Sequence, residues 1–135
     1  MADTRNVEAL IRLFDRIDPT FFNPHPLTPA EARRIASYEG RDIYLWTEQS
    51  YGFLRGWDEG HEIPSLGIAV AADAQGEGHG KAMMIKLHEA ARSRGARRIR
   101  LRVHPENTRA KNLYVSLGYV PAGKDRGEDV MFKDL

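Results

Sequence analysis

The chain contains no cysteine. That absence excludes disulfides, cysteine-ligated zinc and a thiol nucleophile able to carry an acyl group covalently. Long apolar runs are missing too, and no stretch approaches the ~20 residues that a membrane-spanning helix needs. The opening MADTRNVEAL has no apolar core of the secretory type, so the expected location is cytoplasmic. Neither sign of charge dominates: 20 Lys and Arg stand against 19 Asp and Glu, for a formal charge of +1. Such a balance gives no reason to expect nucleic acid or an anionic membrane as a partner. Repeats, low-complexity stretches and linkers are absent, and no metal is expected.

What is present is ordinary for a single globular domain. There are 135 residues, 41% of them hydrophobic and 29% charged, which suits one domain around one core. Val7, Leu10, Ile11 and Phe14 fall at helical spacing and predict a helix over Val7 to Ile17, closed by Asp18-Pro19. The stretch FFNPHPLTP, with three prolines in nine residues, is irregular. Thr28-Pro29, with Glu31 three after the cap, opens a second helix running to about Tyr38. DIYLWTE and SYGFLRGW read as strands with a turn near Gln49-Ser50, and SLGIAVAA as a third strand. Gly80 to Arg94 reads as a helix stopped by Gly95, and RRIRLRV as a half-buried strand. Asn107 to Leu117 is a helix with Ala110, Leu113, Tyr114 and Leu117 on one stripe; YVPAG and DVMFKDL form a hairpin across KDRGE. Alternating strands and helices flanked by hairpins predict a mixed α/β sheet.

The segment QGEGHGKAMMIKLHEAARSRG, Gln75 to Gly95, sets Gly76, Gly78 and Gly80 at alternate positions before a helix. First-turn amides of a helix lack internal acceptors and carry partial positive charge, and glycines let an anion approach them. With Lys81 at the same end, the turn reads as a phosphate or pyrophosphate cradle; a bare strand-to-helix turn is the plainer alternative. Two phosphate motifs fail. A P-loop would need glycine at Gln75 and a hydroxyl residue at Ala82, and a dinucleotide fingerprint would need glycine at Lys81.

Gln75-Gly76-Glu77-Gly78-His79-Gly80 does match the [QR]-x-x-G-x-[GA] loop of the GNAT superfamily of acetyltransferases. ENTRAKNLYVSLGYV resembles that family's second signature, with Asn107, Ala110, Leu113-Tyr114 and Leu117-Gly118-Tyr119 in order. The resemblance covers roughly Tyr44 to Leu135. It implies a mainly antiparallel sheet with a splayed central parallel pair, here SLGIAVAA and RRIRLRV, with acetyl-CoA entering between them. Ile68, Ala69 and Val70 would pair with the pantetheine arm as an added strand. Backbone groups from Gln75, Gly76, Glu77, Gly78, His79, Gly80 and Lys81 would hold the pyrophosphate, with Gly78 and Gly80 bare to leave the ligand space. Asn107 would reach towards the reacting centre, a role compatible with capping its helix. Tyr114 would be the general acid; its phenol, with an ordinary pKa of about 10, is protonated at neutral pH. As a residue of the core stripe it also packs its ring.

A general base is needed to take a proton from an amine acceptor. WDEGHEIP offers Asp58, Glu59, His61 and Glu62, of which Glu62 ranks first and His61 second; each is otherwise a solvated loop residue. These acids are also read as able to attract an ammonium. His25 is read as a loop residue rather than an acceptor-pocket residue, and the His79 side chain as pointing away from the cradle. Arg98, Arg100 and Arg102 read as the polar face of a strand; a basic patch for nucleic acid is the alternative, disfavoured because interleaved exposed aromatics are missing. Members of the family usually open with a further strand; only MADTRN precedes the first helix here, so that strand is expected to be short or absent. The sheet edge it leaves is one a homodimer would cover. The expectation is an N-acetyltransferase using acetyl-CoA on an amine, preferentially of a small molecule, with a protein amine open. The alternatives are a non-catalytic CoA-binding module on the same scaffold and a kinase-like phosphate binder.

Overall fold

A computed structural model describes residues 6–22 and 24–135. Among them the chain forms four helices and six strands: α1 (Val7–Arg16), α2 (Pro29–Ala36), β1 (Ile43–Trp46), β2 (Ser50–Arg55), β3 (Ser65–Val70), α3 (His79–Ser93), β4 (Arg98–Val103), α4 (Thr108–Ser116), β5 (Val120–Asp125) and β6 (Glu128–Asp134). The strands make one sheet in the order β1-β2-β3-β4-β6-β5. Every neighbouring pair is antiparallel except β3 and β4, which are parallel. The mixed sheet with one central parallel pair is the expected architecture. The question of a strand before α1 rests on residues 1–5, which lie outside the described residues.

Local chemistry accounts for most of the boundaries. The Asn6 side chain caps α1 by accepting from the Ala9 amide at 3.0 Å, and Thr28 caps α2 by accepting from Glu31 at 3.1 Å. The buried stripe of α1 is Ala9, Leu10, Leu13 and Phe14; Val7 and Ile11 sit only partly buried at its edge. α2 stops at Ala36 rather than Tyr38, where the Ser37 hydroxyl donates back to the Arg33 carbonyl at 2.9 Å. β1 stops at Trp46 because the Thr47 hydroxyl takes the amides of Gln49 and Ser50, both at 3.1 Å, into a turn. The charged KDRGE stretch is mostly strand: β5 runs to Asp125, and a two-residue turn at Arg126-Gly127, with φ of 54° and 84°, returns it as β6.

The sheet buries both faces unequally. On one face α3 and α4 pack Met83, Met84, Leu87, Ala91 and Tyr114 onto Leu54, Leu66, Leu101, Val103 and Met131. On the other, α1 and α2 cover only the β1–β2 half, packing Leu10, Leu13, Phe14 and Ile35 onto Tyr44, Tyr51 and Phe53. Gly52 sets the closeness of α3: a Cβ there would lie 2.7 Å from Leu87 Cδ1 and 2.8 Å from Met83 Cγ. The β4–β6 half of the second face is left without a helix and carries Arg98, Arg100 and Arg102.

His88 is buried in α3, with Nε2 2.8 Å from the Tyr119 hydroxyl. Burial, with the nearby charges of Lys133 and Arg92, pulls its pKa from 6.5 down to about 4. The unfolded chain therefore binds this proton more readily than the folded one. Stability from the neutral imidazole is complete above pH 6.5 and is lost as pH falls through about 4. Denaturant unfolding between pH 7 and 4.5 is expected to show a loss of about 2 kcal/mol that His88→Gln lacks. Parallel pH curves for the two proteins would show that His88 does not titrate on unfolding.

Candidate active site

β3 and β4 pair only at Ser65–Arg100 and Leu66–Leu101, and then separate. Each keeps its antiparallel partner along its length: β3 stays on β2 to Val70, and β4 stays on β6 to Val103. The backbone of Gly67 to Val70 on the β4 side thus faces a gap. A cleft of about 930 Å³ opens there, between β3, the Gln75–Lys81 turn, α4 and the segment after α1. Ile68, Ala69, Val70, Gln75, Gly76, Gly78, His79, Gly80, Lys81, Asn107 and Tyr114 all border it. Glu77 does not; its carboxylate points aside to His79 Nε2 at 3.1 Å.

The mouth of α3 differs from those of the other helices. Asn6, Thr28 and Asn107 cap α1, α2 and α4 with side-chain oxygens, whereas α3 begins at Gly78, which has no side chain to offer. The first intrahelical bond runs from the Ala82 amide to the Gly78 carbonyl at 3.0 Å. The amides of His79, Gly80 and Lys81 therefore have no intrahelical acceptor and border the cleft. Gly76 and Gly78 have φ of 79° and 88°, which an L side chain strains to adopt. A Cβ at Gly78 would meet no protein atom within 4 Å, so open space lies over that turn.

Gly80 is different from what the spacing suggested. A Cβ there would lie 3.4 Å from Leu113 Cδ2 and 3.6 Å from Val70 Cγ2, in ordinary contact with protein rather than with open space. An alanine there would fit between α3, α4 and β3 without displacing them. Gln75 works through its side chain: Nε2 donates to the Val70 carbonyl at 3.0 Å and Oε1 accepts from Arg109 at 3.4 Å, bracing the turn between β3 and α4. Arg109, which sequence reasoning passed over, borders the cleft beside Gly76 and adds a second cation to Lys81. Its place in the helix after the Asn107 cap was the available signal.

A second chamber, about 480 Å³, lies on the open half of the other face. Phe21, Phe22, Ile68, Asn107 and Tyr114 border both spaces and mark where they meet. Phe21 is 39% exposed and stacks on His104 with ring centroids 4.8 Å apart. Tyr114 is buried, and burial raises its pKa further above the ordinary phenol value, so the hydroxyl is protonated at neutral pH. Asn107 caps α4 through Oδ1, accepting from Ala110 at 3.3 Å, while its side chain borders the junction.

The acids of WDEGHEIP disperse. Glu59 and His61 border the chamber, with His61 Nε2 3.8 Å from the Glu59 carboxylate. Glu62 is exposed and borders neither space. Asp58 is engaged by the Tyr38 hydroxyl and by the Arg41 amide at 2.7 Å. His25 packs beneath the loop: Nδ1 donates to the Pro26 carbonyl at 2.8 Å, and Nε2 accepts from the Tyr51 hydroxyl at 2.8 Å. Burial lowers its pKa, consistent with that neutral tautomer. The chamber instead collects Arg55, Arg100, Arg102 and Arg126, residues from two strands and a turn; alternation along β4 connects only Arg100 and Arg102. Among the described residues no group of three or more His, Asp or Glu is placed to hold a metal ion, and no helix is long and apolar enough to cross a membrane.

The sequence matches the acetyltransferase (GNAT) family over residues 8–119, and the chain belongs to that family. Its fold is similar to the GNAT domain of S. lividans PAT, at 18% identity, 96% of this chain, 85% of that one and a TM-score of 0.78. It is also similar to the PaiA N-acetyltransferase of Thermoplasma acidophilum, solved in complex with coenzyme A: 14% identity, 96% and 90% coverage, TM-score 0.66. The ribosomal-protein-S18-alanine N-acetyltransferase of Escherichia coli aligns at 20% identity, 95% and 86% coverage, TM-score 0.66. No curated protein matches the chain in sequence.

The two glycines of the turn should respond differently to substitution. Gly80→Ala is expected to leave stability unchanged or raise it by up to about 1 kcal/mol, because a helical alanine replaces a glycine without a clash. Gly78→Val should cost about 1–3 kcal/mol through its positive φ. Denaturant unfolding of both variants checks the contrast; equal losses would remove the distinction.

Proposed function

We propose that this chain is an N-acetyltransferase that binds acetyl-CoA and an amine together and moves the acetyl group directly between them. The observation that carries the reading is one continuous cleft holding three things: an uncapped helix mouth, an unpaired strand edge and a protonated tyrosine at the junction with a second chamber. These fit the donor part by part. The amides of His79, Gly80 and Lys81, with Lys81 and Arg109, suit a pyrophosphate. The β3 edge from Ile68 to Val70 suits the amide-bearing pantetheine arm as an added strand. When bound, the donor supplies an acetyl group already activated as a thioester.

The chain's own residues then divide the work. A backbone amide at the open end of β3 donates to the thioester carbonyl and steadies the charge that grows on it. The acceptor nitrogen enters from the chamber and must lose a proton. His61 is the proposed acceptor of that proton in preference to Glu62, because its side chain borders the chamber and Glu62 does not. The new C–N bond forms as the C–S bond breaks, and Tyr114 gives its hydroxyl proton to the departing sulfur. No cysteine exists to carry the acetyl group, which favours direct transfer.

Calorimetric titration tests the donor half: wild type should bind CoA, and folded Gly78→Val should bind it at least about tenfold more weakly, since the valine fills the space over the amides. Equal binding would sink the cradle. Tyr114→Phe keeps the ring in the core and removes the proton; turnover should fall roughly tenfold to a thousandfold with CoA affinity nearly unchanged. Full turnover in that variant would take Tyr114 out of the mechanism, and CoA binding without turnover on any amine would leave a binding module. His61→Ala should lower turnover roughly tenfold or more, whereas Glu62→Gln should not; the reverse result would restore Glu62 as the base.

A further inference from the structure

The floor of the acceptor chamber is made of small residues. Ser65 and Gly67 of β3 face it, and a side chain at Gly67 would run into the Phe53 ring. Arg55 lies directly across from Ser65 on β2, and Arg100 directly across from it on β4. Paired residues share a face, so two guanidinium-bearing side chains flank one serine, with backbones about 10 Å apart. The result is a trough with an arginine on either wall, open through Ile68, Asn107 and Tyr114 to the donor cleft. Arg126 stands at the tip of the β5–β6 turn and borders the same space.

The positive charge of this trough is only partly answered by the described residues. Arg100 donates to Asp125 at 2.9 Å, and Arg102 reaches Asp125 and Glu128 only at 3.8 Å. Arg55 rests on the Phe53 ring, 5.4 Å from its centroid. The acid whose field it shares, Glu31, is already held by two bonds from Arg34 at 3.1 and 2.7 Å. No described carboxylate pairs with Arg55 or Arg126. Counting Asp125 with the two lining acids, Glu59 and Glu128, four guanidiniums meet three carboxylates among the described residues. An ammonium alone enters such a space against its charge. An ammonium with an anion attached does not, because a guanidinium presents paired donors to a carboxylate or phosphate.

We infer that the acceptor is an amine carrying its own anionic group, of the amino-acid or phosphoamine class, and that Arg55 and Arg126 bind that anion. The inference rests on the acetyltransferase reading above. It replaces the expectation that acidic loop residues attract an ammonium, and it disfavours polyamines. A chamber of about 480 Å³ suits a metabolite of this kind.

The experiment offers acetyl-CoA and matched amines differing only in the anion, and follows thiol release. The pairs are glycine with methylamine, β-alanine with ethylamine, and O-phosphoethanolamine with ethanolamine, with spermidine as the polycation. The anionic member should be preferred at least about tenfold in kcat/KM, and the carboxylate and phosphate arms identify which anion fits. Arg55→Gln and Arg126→Ala should each narrow that preference about fivefold or more, through KM rather than kcat. Preference for the amines that lack the anion or for spermidine overturns the inference, as does an anion preference that survives the double variant.

If no amine in the panel turns over, the arginine Nε–Hε resonances decide. N-acetylglycine and N-acetyl-O-phosphoethanolamine should shift those of Arg55 and Arg126 in the CoA-saturated protein, and N-methylacetamide should not. Absence of any shift at about 10 mM, a Kd above the usual metabolite range, overturns the inference. Failure of the donor reading is a separate result, a wild-type protein that does not bind CoA; the same resonances are then read on the free chain.

Discussion

β3 and β4 pair at two positions and then part, and the rest of the site depends on that separation. A strand edge left unpaired inside a protein is unfavourable, because each buried amide or carbonyl without a partner costs about 1–3 kcal/mol. The sheet tolerates the gap because β2 and β6 hold the outer edges of the two strands in continuous antiparallel register. The gap is therefore framed on both sides, and it keeps a row of backbone groups facing a space that water or an extended ligand can fill.

The turn after β3 is built to the same end. α3 begins without a side-chain cap, and its first amides border the open end of the gap. Gln75 ties the turn to the Val70 carbonyl and to Arg109, so the helix mouth and the strand end are held in one frame. Gly52 lets α3 lie close on the sheet, which fixes the direction in which that mouth points. These contacts are spread over β2, β3, α3 and α4, and the cleft exists only where they meet.

On the opposite face, the uneven cover of α1 and α2 decides the chemistry. Their packing on Tyr44, Tyr51 and Phe53 leaves the β4–β6 half open, and the strand alternation puts arginines on that half. Residues of the segment after α1, Phe21 and Phe22, reach the junction of the two spaces. Tyr114 reaches it from α4, buried enough to keep its proton. The cleft and the chamber thus meet at the sheet's central gap.

Periodicity and turn chemistry were enough to locate four helices, six strands and the glycine turn, and two short motifs carried the family resemblance, because these depend on residues close in sequence. Gly78 illustrates this: alternating glycines ahead of a helix predicted a turn there, and Gly78 makes it at a φ of 88°. Gly80 shows the limit, since Leu113 and Val70, which a side chain there would touch, lie 33 and 10 residues away. The acids of WDEGHEIP read as one group, but loop geometry sends Glu59 into the chamber, Asp58 to Tyr38 and Arg41, and Glu62 to solvent. Alternation along RRIRLRV showed that its arginines share a face; it could not show that Arg55 and Arg126 join them there. Local order follows from short-range sterics and hydrogen bonding, whereas the company a charged side chain keeps is set by which strands pair and which face the helices leave bare.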